Sequence, residues 1–103
     1  MFKIEQVRPD ILLITVPGTE LYCRVMSYQK SIIREFFEGG RDSLHFTECL
    51  FDVDDHYCDI KITRLASGKV RVVFSESDKW GTYDPVEFEV SFSEIAILNQ
   101  AFA

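Results

Sequence analysis

The chain predicts an α+β fold, mostly antiparallel β, with six or seven strands as a sandwich or half-barrel and one or two helices. Three observations predict it: apolar residues alternate with period two in several short runs, turn-forming residues separate those runs, and just two stretches show helical spacing. A chain of 103 residues is expected to make one domain, residues 1–103. That length buries roughly 60 to 70 per cent of the surface of the unfolded form, so no staples are needed. A hydrophobic fraction of 47% with nine phenylalanines lies far from disordered composition and supplies bulky core material.

Taken in order, Phe2–Val7, Ile11–Val16 and Glu20–Met26 are short apolar or β-branched runs. Pro9-Asp10 and Pro17-Gly18 break them, which predicts three strands in a meander. From Ser27 to Glu38, Tyr28, Ile32 and Phe36 recur at i and i+4, as do Ile33 and Phe37. Ser27 is placed to cap that helix and Gly39-Gly40 to end it. Leu44–Val53 reads as a further strand with blurred alternation, because Phe46 and Leu50 share a face with Glu48 and Asp52; a bulge or burial on both faces would explain this.

The clearest hairpin runs from Tyr57 to Ser75. Cys58, Ile60 and Ile62 form one face of its first strand and Val70, Val72 and Phe74 one face of its second, with Ala66-Ser67-Gly68-Lys69 between them. Glu76–Pro85 holds Ser77, Asp78, Gly81, Asp84 and Pro85 around Trp80 and Tyr83 and predicts a long loop. Val86, Phe88, Val90 and Phe92 then alternate with Glu87, Glu89 and Ser91 as another strand. Ser93 is placed to cap a closing helix, with Glu94 in its first turn and Ile95, Leu98 and Phe102 on one face.

Charge is sorted along this framework. Asp42 to Ile60 carries six acids (Asp42, Glu48, Asp52, Asp54, Asp55, Asp59) and no lysine or arginine, in a chain of formal charge -6. Lys61 to Lys79 carries five bases against two acids, and from Trp80 onward there is again no base. A one-signed field speeds encounter with an oppositely charged surface and repels nucleic acid and anionic membrane, so neither is expected as a direct partner. Lys3, Glu5, Arg8 and Asp10 leave no apolar centre for a secretory signal, and no run approaches a membrane span, so a cytoplasmic location is expected. Three cysteines, Cys23, Cys49 and Cys58, fit no disulfide framework. Buried free thiols are the expectation, with Cys49 pairing to Cys58 across neighbouring strands as the alternative.

Motifs for chemistry fall short one after another. Asp52, Asp54 and Asp55 have the short spacing of a calcium loop, yet an EF-hand register would need glycine and glutamate where Tyr57 and Thr63 stand. His45, Cys49, His56 and Cys58 supply four zinc-type ligands at a spacing matching no familiar module, and Cys58 alternates onto the apolar face. A Cys-His nucleophile pair is disfavoured because neighbouring carboxylates raise a thiol pKa. No nucleophile elbow and no phosphate-binding glycine pattern is present. No metal, cofactor or catalytic residue is therefore expected. The remaining signals are the carboxylates Asp52, Asp54, Asp55 and Asp59, and the aromatic pair Trp80 and Tyr83 in a polar loop, residue types that anchor protein interfaces.

In its length, charged N-terminus and acidic body the chain resembles the small immunity proteins that bacteria encode beside a toxin, especially those of contact-dependent growth inhibition. That resemblance implies binding to one cognate toxin domain, often a basic nuclease, and blockage of its active site in the cytoplasm. Carboxylates would meet the lysines and arginines that a nuclease presents to phosphate, and Trp80 and Tyr83 would supply apolar anchoring. Three other classes fit the same residues: a structural or adaptor subunit self-associating through a strand edge, a small metal-dependent hydrolase using His56 with neighbouring carboxylates, and a ligand-binding barrel lined by phenylalanines.

Overall fold

Alternation along the strands sets which side chains go inward. In the computed structural model, which describes residues 3–16, 18, 19, 21–49 and 56–102, β1 (Lys3–Arg8), β2 (Ile11–Thr15) and β3 (Tyr22–Met26) form an antiparallel meander of three strands. A second antiparallel sheet contains β4 (Ser43–Cys49), β5 (Tyr57–Arg64), β6 (Val70–Asp78), β7 (Gly81–Thr82) and β8 (Val86–Val90). Both β7 and β8 pair with β6. The mostly antiparallel α+β class is the one the alternation predicts. The described strands number eight, because the stretch expected as a long loop contains the two-residue β7.

Leu12, Ile14, Cys23 and Val25 from the small sheet share one core with Leu44, Phe46, Ile60, Ile62, Val72 and Phe74 from the large one. Two helical segments close that core. A 3-10 turn, Ser27–Gln29, leads into α1 (Lys30–Phe37), which buries Ile33 and Phe36. Tyr28 and Ile32, expected on the inner stripe, are instead exposed: Tyr28 lies in the 3-10 turn before α1 begins, and within α1 the buried face centres on Ile33 and Phe36, leaving Ile32 at its margin. Ser27 is not the cap. The Gln29 side chain accepts the Met26 N–H at 2.9 Å and starts the segment. At the other end Gly40 N–H bonds the Glu35 carbonyl and Gly39 N–H the Phe36 carbonyl, a Schellman closure that needs the left-handed φ of +89° at Gly39.

The chain closes with a 3-10 turn, Phe92–Ile95, and α2 (Ile97–Gln100). Ile95, Leu98 and Phe102 are buried together, as their spacing predicts. Ser91 N–H is accepted by the Glu94 carboxylate at 3.0 Å, so Ser91 and not Ser93 stands at the entry. Gln6 ties this end to β1 by donating to the Ala101 carbonyl. Arg64 joins the two helical segments: its guanidinium stacks 4.9 Å from Phe36 and 4.8 Å from Phe92 and donates to the Phe36 carbonyl.

Between the sheets, β3 and β4 are neighbours without a backbone ladder. Glu48 fills that seam. Its carboxylate accepts the backbone N–H of Arg24 at 3.2 Å, Nε at 2.9 Å and Nη2 at 2.6 Å. This explains the blurred alternation of the fourth strand: β4 pairs with β5 in unbroken register, and Glu48 occupies the inner face opposite Cys58 because Arg24 satisfies it there. The continuation of the expected strand beyond Cys49 lies outside the described residues.

Candidate functional site

An aromatic tip stands at the β6–β7 turn, built by Asp78. Ser77 pairs with Thr82 and Asp78 with Gly81, which leaves Lys79 and Trp80 as the turn. The Asp78 carboxylate accepts the Trp80 N–H at 2.8 Å, an Asx-type bond two residues on, and the Tyr83 hydroxyl at 2.7 Å on its other oxygen. Gly81 takes a φ of +144°, which lets the chain reverse. Tyr83 N–H extends the pairing by donating to the Glu76 carbonyl at 2.9 Å. The predicted loop is thus a short, internally bonded hairpin.

Trp80 is 82% exposed and Tyr83 half-exposed. Exposed aromatics normally swing. Here the backbone at Trp80 and the ring of Tyr83 are tied to one carboxylate, while Lys79 Nζ lies 5.3 Å from the indole centroid. The Tyr83 hydroxyl, followed by the Trp80 and Gly81 N–H groups, holds the Asp78 carboxyl below its ordinary range. Reciprocally, Asp78 raises the Tyr83 phenol above its ordinary value.

Of the predicted carboxylates, Asp59 alone falls among the described residues; Asp52, Asp54 and Asp55 lie outside them. Asp59 faces outward from β5 and accepts Thr47 Oγ1 at 2.6 Å, with His45 Nε2 3.3 Å from the same oxygen. Glu48 is turned inward to Arg24, so these two acids of the base-free stretch are engaged within the molecule. The other imidazole, His56, is 2.6 Å from Glu76, with its side chain 12% exposed. That pair lies beside the tip, since Glu76 is also the residue whose carbonyl receives Tyr83.

Cys23 and Cys58 are free, buried thiols. Burial first, and then the nearby charges of Asp59 and Glu76, push Cys58 up to about 11. Burial likewise raises Cys23, reinforced by Cys58, Glu48 and Asp59. Both therefore stay protonated and poorly nucleophilic at neutral pH. Backbone register places Glu48, not Cys49, opposite Cys58, with Cys49 opposite Tyr57. Among the described residues no group of three or more His, Cys, Asp or Glu side chains gathers as a metal-ligand set. None of the described helices is long and apolar enough to cross a membrane.

Asp78 is the site residue that sequence reading missed. Its signal was present: an Asp three residues before a Gly, between two alternating runs, is the pattern of an Asx-assisted reversal. No protein-family model, curated protein or solved structure matches this chain. The geometry of the tip therefore carries the functional reading alone.

Proposed function

We propose that this protein is an immunity-type inhibitor that binds a cognate toxin domain, a basic nuclease, with Trp80 and Tyr83 as anchors and acidic side chains as the charged surround. The observation that carries this reading is a tryptophan four-fifths exposed at a turn whose backbone is fixed by Asp78. Ordering an interface loop costs about 0.5–1.5 kcal/mol per immobilised side chain, and a tip already bonded before contact avoids part of that cost. Tryptophan and tyrosine are also the residue types that concentrate binding energy at protein interfaces. Asp78 and Asp84 stand beside the aromatic pair in sequence, and Asp52, Asp54 and Asp55 extend the acidic character that a lysine- and arginine-rich nuclease surface would meet.

The test is capture from native-host lysate at low salt with tagged wild-type protein and with Trp80→Ala, followed by nuclease assay of the captured partner. A single basic partner held by the wild type, lost or weakened about 30-fold or more with Trp80→Ala, and inhibited on rebinding, supports the reading. A partner that binds equally well to Trp80→Ala removes the tip from the interface, and a partner without toxic activity removes the immunity role.

A further inference from the structure

The large sheet ends in β8, which among the described residues pairs on one side alone, with β6. In an antiparallel ladder alternate residues turn their N–H and C=O groups away from the neighbour, so an edge strand leaves a row of backbone donors and acceptors open. Among the described residues no backbone bond outside the β6 ladder reaches Val86–Val90. The two faces of β8 differ. Glu87 and Glu89 are exposed on the outer face, whereas Val86 and Phe88 are partly buried at the margin of the core and Val90 is buried.

The other free edge, β1, is built against strand addition. Its register shifts between Gln6 and Arg8, and Lys3, Glu5 and Arg8 place charges of both signs along it. By contrast, β8 keeps unbroken register with β6 from Val86 opposite Phe74 to Val90 opposite Val70, and its charge has one sign. A second copy of β8 laid along this edge would set glutamate against glutamate. The charge that keeps two copies apart is complementary to a basic strand. Within the sheet the same alternation of sign already operates, since Arg71 lies directly across from Glu89. Arg71 Nε is 3.9 Å from Glu87, the outer limit of an ion pair, and the Glu87 side chain keeps 58% exposure. Glu89 makes no ion pair among the described residues.

We propose that the β8 edge is where the partner adds a strand to the large sheet, through a segment that alternates lysine or arginine with apolar residues. Its basic side chains meet Glu87 and Glu89, its apolar side chains continue the margin of the core at Val86 and Phe88, and its backbone fills the open row. This edge runs into the aromatic tip. Thr82 pairs with Ser77 and Val86 with Phe74 along one flank of β6, and the Tyr83 N–H on the Glu76 carbonyl joins them. The basic character of the partner rests on the proposed function; the strand-accepting edge rests on β8.

The probe is a capped peptide of about seven residues alternating lysine with valine, long enough to span β8, titrated into the full chain at low salt and followed by amide NMR. The β8 amides should shift saturably, and those that point away from β6 should exchange more slowly with solvent. Glu87→Gln with Glu89→Gln, both at exposed positions, should weaken binding about tenfold or more without altering the rest of the amide spectrum. In the wild type, salt near about 0.5 M should produce a comparable loss. A peptide of the same composition with its lysines grouped at one end should not shift β8. No saturable shift at β8 overturns the proposal, as does equal binding by the grouped peptide or by the double variant. Trp80→Ala should leave peptide binding unchanged, which separates the edge from the tip. Peptide binding at β8 together with a captured partner that lacks toxic activity would remove the immunity role and leave the edge site standing.

Discussion

Asp78 shows how much one carboxylate organises. It is surface-exposed, yet it fixes a backbone N–H and a tyrosine hydroxyl that would otherwise be held by water. Its depressed pKa means that its contribution is present above the ordinary aspartate value and fades as pH falls through the lowered one. The raised pKa of Tyr83 means that its share is full below the ordinary tyrosine value and is lost as pH rises through the higher one. The tip is thus bonded across the whole neutral range. Phenolate absorbance should show Tyr83 titrating above the ordinary tyrosine range, and Asp78→Asn should bring it back down. At the same scale, the raised thiols of Cys23 and Cys58 predict that both escape alkylation by iodoacetamide in the native protein at neutral pH and react fully in denaturant, read by peptide mass spectrometry.

Among the elements, the seam between β3 and β4 is the joint that a ladder would normally close. Glu48 replaces that ladder with charge-assisted bonds to Arg24, one of them to its backbone. Arg24→Met leaves the carboxylate of Glu48 buried without the guanidinium. Its cost should be about 3 kcal/mol in urea unfolding, the lower end for breaking a buried pair because Arg24 is partly wet. Adding Glu48→Met should recover a part and not the whole, since the Arg24 N–H then loses its acceptor. The aromatic clamp around Arg64 acts differently: it fastens α1 to the closing 3-10 turn through stacking and the Phe36 carbonyl. Lysine, which has no planar face to stack, would not replace it.

For the whole molecule the net charge of -6 governs encounter more than fold. Under the proposed function, Asp54→Lys with Asp55→Lys should slow association with the captured partner and flatten its salt dependence, measured by stopped-flow fluorescence of Trp80 at several ionic strengths. Unchanged rates would confine recognition to the aromatic tip. The acidic body is less uniform than its sequence suggests, because Glu48 faces inward and Asp59 is engaged by Thr47 and His45 on the outer sheet.

The sequence by itself determined seven of the eight described strands, β7 excepted, since apolar and β-branched runs between turn formers, several with a period of two, read as strands. It also located the β5–β6 hairpin, the Gly39-Gly40 helix end and the inward face of the closing helix. Trp80 and Tyr83 were legible as candidates because aromatics in a polar, glycine-containing segment stand out. Tertiary structure alone decided what their neighbours do. That Asp78 ties both to one carboxylate depends on a turn only a few residues long, which composition reads as loop. That Glu48 is buried depends on Arg24, 24 residues earlier and in another sheet. That Ile11 and Leu13 face solvent depends on which side of a meander is covered. Periodicity reports that a strand has two faces; only packing against a second layer assigns one of them to the core.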